Sequence, residues 1–273
     1  MKPLVLLRGG GDLASGVALR LHRAGLQMVI TELPEPLTVR RTVAFSQAVY
    51  DGQTCVEGAA AQRVETIAEA EDCLQRGLIA VMVDPAMKSL AALKPAVLVD
   101  GRMTKRPPEF DRSAAPLVIG LGPGFIAGEN CHAVIETRRG HTLGRVIWQG
   151  AAEADTGRPE KVLQYESERV LRAPADGILT ARVAIGGMVK CGDILAEVNG
   201  QFITAPFDGV VRGLVQPGIR VKAGVKVGDV DPRCDPSLCE LVSDKALSIG
   251  GGALEAILSR RELIPMLWRK PCV

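Results

Sequence analysis

The chain has 273 residues, 47% of them hydrophobic, with 33 Lys and Arg set against 31 Asp and Glu. That length and apolar content suffice for two cored domains; the even charge, with no basic block and only nine aromatic residues, gives no footing for nucleic-acid binding. No apolar run is long enough to span a bilayer, and Met1-Lys2-Pro3 leads straight into a strand with no signal peptide, so the expected location is the cytoplasm. The seven cysteines (Cys55, Cys73, Cys131, Cys191, Cys234, Cys239, Cys272) are odd in number and scattered, which suits reduced thiols better than a disulfide framework.

The apolar run Leu4 to Leu7 enters Arg8-Gly9-Gly10-Gly11-Asp12-Leu13-Ala14-Ser15-Gly16 and reads as strand, glycine turn, helix. Leu13, Ala14, Val17, Ala18, Leu21 and Ala24 recur at helical spacing, so one stripe can pack on a sheet. Glycines let the backbone turn sharply and expose N–H groups to a phosphate at the helix start. A second strand, Met28 to Thr31, closes on Glu32, an acid 21 residues after Gly11, where dinucleotide-binding folds place a ribose acceptor. The spacing Gly9-x-Gly11-x4-Gly16 departs from GxGxxG, and Asp12 sets a negative charge beside the place of a pyrophosphate. Nucleotide binding and plain strand–helix packing both stay open here.

Pro34 and Pro36 forbid helix, and Arg40-Arg41 follow, either to meet an anion or as a solvated basic pair. Val43 to Tyr50 and Gln62 to Val64 are expected to be extended, with a turn at Asp51-Gly52. Thr66 to Arg76 is expected as a helix, Leu78 to Val83 as a buried parallel strand, Met87 to Leu93 as a short helix and Ala96 to Val99 as another strand. This alternation predicts right-handed crossovers and a parallel sheet with ligands at its carboxyl edge. The strand Pro116 to Leu121 runs into a second glycine turn containing Gly122 and Gly124, which either touches the same ligand or is a tight exit from the sheet.

Ala133 to Glu136 and Arg145 to Trp148 flank a polar turn and predict a β-hairpin, and Ala154 to Lys161 is turn-rich. Residues 173 to 192 then match 205 to 224 at nine of twenty positions, including Ala-Pro-x-Asp-Gly at 173 and 205 and Val-Lys-x-Gly at 189 and 221. Such a duplicated β unit can interlock into a small all-β sandwich, and this half resembles the biotinyl/lipoyl-like barrel-sandwich domains. The joining segment Glu197 to Phe202 has no lysine, so covalent biotin or lipoate is not expected. Near the end, Ser243 or Asp244 caps a helix interrupted by Gly250-Gly251-Gly252, which either breaks it or permits close approach of a neighbour. The expected fold is therefore α/β plus β: a Rossmann-like parallel sheet over 1–128, a barrel-sandwich β domain over 129–242, and a helical tail over 243–273.

Several stretches together carry a family resemblance: Arg8 to Gly16, Arg40 to Phe45, Ala48 to Gly52, Gly120 to Phe125, Arg139 to Arg145 and Ser243 to Gly252. With these the chain resembles the YqeB-like family of the selenium-dependent molybdenum hydroxylase system. The resemblance implies an accessory protein, distantly similar to XdhC-type factors, that helps a molybdenum hydroxylase client to mature. The expected ligand is phosphate-bearing, the molybdenum cofactor or a nucleotide, held by Arg8, Gly9, Gly10, Gly11, Asp12, Gly16, Glu32, Arg40, Gly122 and Gly124. No catalytic residue is assigned, and Cys239, as a persulfide or selenosulfide relay, and His141, as an acid or base, are the candidates. Alternatives are an NAD(P)-binding oxidoreductase, a non-catalytic adaptor that docks the client, and a metal-binding protein resting on Cys234-x4-Cys239 and Cys131-His132. A nucleic-acid, membrane or resident-metal partner is not expected, and homo-oligomerisation is left open.

Overall fold

In the computed structural model, which describes residues 4–154, 162–263 and 265, the chain is built on one large sheet. Its strands are β1 (Leu4–Arg8), β2 (Gln27–Glu32), β3 (Gln53–Val56), β4 (Ala59–Val64), β5 (Ile79–Val83), β6 (Val97–Asp100), β7 (Leu117–Leu121), β9 (Ala133–Ile135) and β10 (Val146–Ile147); the two-residue β8 (Ile126–Ala127) stands outside it. The order is β10-β9-β7-β6-β1-β2-β5-β4-β3, so β1 is central. Val5 and Leu7 enter the core on one face and Leu6 the core on the other, and this two-sided burial is why the strand is a continuous apolar run.

Helix α1 (Asp12–Arg23) follows β1, and α2 (Ala48–Asp51), α3 (Ile67–Gln75) and α4 (Leu90–Leu93) complete the connections. The Thr66 side chain caps α3 by accepting from Glu69 N–H, as a Thr N-cap should. The final helix, α5 (Asp244–Ser259), runs unbroken through its three glycines, with Ser243 as N-cap. It lies against α1 because both helices lack side chains at the contact: a Cβ on Gly16 would sit 2.5 Å from Ala246 Cβ, and one on Gly250 would sit 2.7 Å from the Gly16 carbonyl oxygen. The glycine triplet is thus a packing device, with Gly251 on the open side.

The second half continues with β11 (Gly150–Ala151), which pairs with β8, and then β12 (Val170–Arg172), β13 (Gly177–Ala181), β14 (Met188–Val189), β15 (Ile194–Val198), β16 (Gln201–Thr204), β17 (Gly209–Leu214), β18 (Arg220–Val221) and β19 (Lys226–Asp231). These make two four-stranded sheets, β12-β19-β17-β14 and β16-β15-β13-β18. The repeat copies exchange strands: β13 of the first pairs with β18 of the second, and β14 of the first with β17 of the second.

The expected fold class is corrected in both halves. The large sheet is mixed, not Rossmann-like parallel: β3 runs antiparallel to β4, β10 runs antiparallel to β9, and two of its strands lie beyond residue 128. A short connection dictates the first of these reversals. Glu57 and Gly58, both at positive φ, make a two-residue hairpin turn between β3 and β4, too short for a crossover helix. Likewise, Val43 to Tyr50 is not extended but forms 3-10 turns and α2. The β half is not the expected biotinyl/lipoyl-like barrel-sandwich domain but a pair of four-stranded sheets clamped to the α/β half. A Cβ on Gly213 would lie 2.7 Å from Val39 Cγ1, and Arg41 donates to the Leu214 carbonyl at 2.7 Å. Cys272 and the turn-rich stretch 155–161 lie outside the described residues.

Candidate functional site

The first glycine turn is tied inward. Gly9, at φ +92, donates to the Thr31 carbonyl at 2.8 Å, and Gly10 N–H donates to Glu32 Oε2 at 2.6 Å. The other Glu32 oxygen accepts from Leu33 N–H at 2.7 Å. Burial raises the pKa of this carboxyl, against the lowering effect of those two N–H groups. Glu32 therefore closes the turn, with each carboxylate oxygen accepting one backbone N–H. A Cβ on Gly10 would meet Ser46 N at 2.9 Å, whereas one on Gly11 would make only an ordinary contact, 3.8 Å from Thr38 Oγ1. Gly11 is the N-cap of α1, with no side chain capping the helix start.

The other expected residues divide between structure and site. Arg8 is buried and committed: it donates to Glu109 Oε2 at 2.7 Å and to the Pro85 carbonyl at 2.9 Å. Arg102 shares Glu109 and grips Asp100 at 2.7 Å, and these two arginines hold the Glu109 carboxyl down at about 2. Gly122 and Gly124 are packing positions, since a Cβ would collide with Thr137 Oγ1 at 2.4 Å and with the Arg106 carbonyl oxygen at 2.6 Å. Gly16 belongs to the helix contact. Cys239 is 2% exposed and burial pushes its thiol up, the opposite of an activated nucleophile. His141 lines a separate shallow groove with Arg145 and Glu255.

What the fold does assemble is a cleft of about 850 Å3 between the carboxyl edge of the large sheet and the outer face of β17 and β19. The starts of both long helices open into it, through Gly11-Asp12-Leu13 and Ser243-Asp244-Lys245. Eight basic side chains line it (Arg40, Arg102, Arg139, Arg169, Arg212, Lys226, Arg233, Lys245) against Asp12, Asp229 and Asp244. A narrower, more apolar pocket of about 360 Å3 adjoins it and shares Gly11, Leu37, Thr38, Gly101 and Arg102.

Arg40 joins the two walls. It is 6% exposed, contacts both Asp12 carboxylate oxygens at 3.2 and 3.3 Å, and donates to the Leu241 carbonyl at 2.7 Å. It is neither a solvated surface residue nor a free anion ligand. Arg139 forms a two-bonded pair with Asp244 at 2.5 and 2.8 Å, which holds that carboxyl at about 2. On the β wall, Arg169 meets Asp229 at 2.5 Å and Arg233 meets Asp231 at 2.5 Å.

Of the ten residues expected to bind a ligand, Gly11, Asp12 and Arg40 face the main cleft, and Arg8, Gly9 and Glu32 reach only the adjoining pocket. Gly10, Gly16, Gly122 and Gly124 line neither. Arg139, Arg169, Arg212, Lys226 and Arg233 were missed. The available signal was charge inside the β strands: Arg212 interrupts an apolar strand, and Asp229 and Asp231 are acids buried within β19. Among the described residues, no three His, Cys, Asp or Glu side chains converge to hold a metal ion, and no helix is long and apolar enough to cross a membrane.

No family model matches the sequence. The chain is 49% identical over 255 residues to the "Uncharacterized protein YqeB" of Escherichia coli K12, covering 93% of this chain and 47% of that protein. The chain thus spans about half the length of the curated relative it matches. Among solved structures, the product-bound ectoine utilization protein EutE (DoeB) of Ruegeria pomeroyi is 16% identical, over 84% of this chain and 85% of that one, at a TM-score of 0.25. An aspartoacylase family protein of Mesorhizobium loti is 12% identical over 84% and 85%, at a TM-score of 0.26. A succinylglutamate desuccinylase of Silicibacter sp. TM1040 is 13% identical over 84% and 84%, at 0.24.

Proposed function

We propose that this chain binds a phosphate-bearing small molecule in the cleft between its sheet edge and its β half. The observation that carries the reading is the excess of eight basic over three acidic side chains where two helix starts open. Helix N-termini favour anions through their unpaired N–H groups and dipole, and arginine forks match phosphate oxygens. A concave, partly dry cleft strengthens each of these attractions relative to open surface. The adjoining apolar pocket offers room for the organic part of such a ligand.

The sequence resemblance supplies the wider context for this proposal: an accessory factor whose ligand is the molybdenum cofactor or a nucleotide, and whose client is a molybdenum hydroxylase. The dinucleotide-oxidoreductase alternative is the less favoured, because each Glu32 oxygen already accepts a backbone N–H and keeps only its second lone pair for a ribose hydroxyl. Calorimetric titration tests the reading directly. Ribose 5-phosphate is expected to bind one per chain with an affinity that falls steeply with salt, while ribose does not bind; no heat from any phosphate monoester would sink it. The maturation role has its own test, the activity of the client hydroxylase purified from cells lacking this protein.

A further inference from the structure

The charges of the cleft are mostly matched. Arg40 has Asp12, Arg169 has Asp229 and Arg233 has Asp231. Two cations of the β wall are less well matched. Arg212 Nε is buried with no hydrogen-bond partner and stands 3.6 Å from an Asp231 oxygen that Arg233 already holds. Lys226 makes no ion pair among the described residues.

Both side chains sit at irregularities of the same sheet. Between β17 and β19 the register runs Val211 to Val230 and then Gly213 to Asp229, so Arg212 is an extra residue. Between β12 and β19 it runs Leu171 to Gly228 and then Arg172 to Lys226, so Val227 is extra and Lys226 stands at the break. A β-bulge twists its strand and re-aims a side chain, and bulges gather beside functional sites. Here two of them turn two incompletely matched cations into one cleft. Such crowding of like charge costs stability unless an anion enters.

We propose that Arg212 and Lys226, aimed into the cleft by neighbouring β-bulges, the first sharing Asp231 with Arg233 and the second in no ion pair among the described residues, form the seat for the ligand's phosphate dianion. This rests on the reading that the cleft binds a phosphate-bearing molecule, and it moves the anion from the glycine turn to the β wall. Lys226 keeps contact with water through the cleft mouth. Even so, the surrounding protein lowers its pKa, burial first, with Arg169 and Arg212 adding to the lowering and Asp229 and Asp12 opposing it. Arg212 is lowered too, by burial and by Arg40 across the cleft. A phosphate dianion reverses the balance for Lys226, so binding is linked to its protonation and weakens as pH rises through the lysine's depressed range.

The test is titration of the full chain with ribose 5-phosphate from about pH 8 to about pH 10, above the ester's second ionisation near 6. Wild type is expected to lose affinity across that interval. Lys226→Arg keeps a charge that does not titrate there, so its affinity at about pH 8 stays near wild type and its profile is flat. Lys226→Met and Arg212→Met are each expected to weaken binding roughly ten- to hundredfold. Wild-type binding that both methionine variants retain, or a Lys226→Arg profile as steep as wild type, overturns the seat and leaves the cleft reading standing. If Arg212→Met does not fold, the Lys226→Arg profile decides. A folded wild type that binds no ribose 5-phosphate removes the cleft reading, and the seat with it.

Discussion

The backbone N–H of Gly10 donates to Glu32 Oε2 at 2.6 Å, across 22 residues of sequence, while Leu33 N–H occupies the other oxygen. This carboxylate is a strut between the end of β2 and the glycine turn. Glutamine offers one acceptor and turns its amide donor toward the second N–H. Glu32→Gln is therefore expected to cost about 1–3 kcal/mol, the penalty of one buried donor left unpaired, measured by urea unfolding at neutral pH. Because the native pKa is raised, the Glu32 contribution is fully present below the unfolded carboxyl value and declines as pH rises through the native one. The variant should lack that part of the pH profile.

The α1–α5 contact makes opposite predictions for two glycines. At Gly16 the added Cβ would meet the backbone and Cβ of Ala246 at 2.5–2.7 Å, so Gly16→Ala should destabilise by about 1–3 kcal/mol through forced separation of the helices. Gly251 has nothing within 4 Å. Gly251→Ala should stabilise by up to about 1 kcal/mol from helix propensity alone. Thermal unfolding of the two variants side by side checks both signs.

Two carboxylates at the cleft and its neighbouring loop are held at about 2, Asp244 by Arg139 and Glu109 by Arg102 and Arg8. A depressed native pKa gives stability that is present above the unfolded value and lost as pH falls toward the native one. Wild type should lose this part between about pH 4.5 and about pH 2. Both side chains are largely exposed, so each contributes less than about 1 kcal/mol. The Asp244→Asn, Glu109→Gln double variant should show a flatter acid limb in denaturant midpoints measured against pH.

Thiol reactivity should divide by burial. Cys55, Cys191 and Cys234 are exposed, whereas Cys73, Cys131 and Cys239 are buried; burial raises all three of the latter, Cys131 to about 11. Alkylation of the native protein near pH 8, followed by mass mapping, is expected to mark the exposed three well before Cys239. Rapid labelling at Cys239 would restore it as a candidate relay thiol.

Much of the architecture is local, and the sequence determined it. Leu4 to Leu7 had to be a buried strand, Leu13 to Leu21 an amphipathic helix and Ser243 a helix cap, because hydrophobic period and capping act within a few residues. The Ala-Pro-x-Asp-Gly repeat likewise announced a duplicated β unit. Only tertiary structure decided the rest. Glu32 sits at the spacing of a ribose acceptor, yet its partners are Gly10 and Leu33; Gly122, Gly124, Gly250 and Gly252 pack closely against neighbouring segments. The basic cleft draws Arg40, Arg139, Arg212 and Lys226 from stretches far apart in the chain. Electrostatic convergence of that kind depends on distances in space and on which charges are already paired, and neither quantity is written in the order of residues.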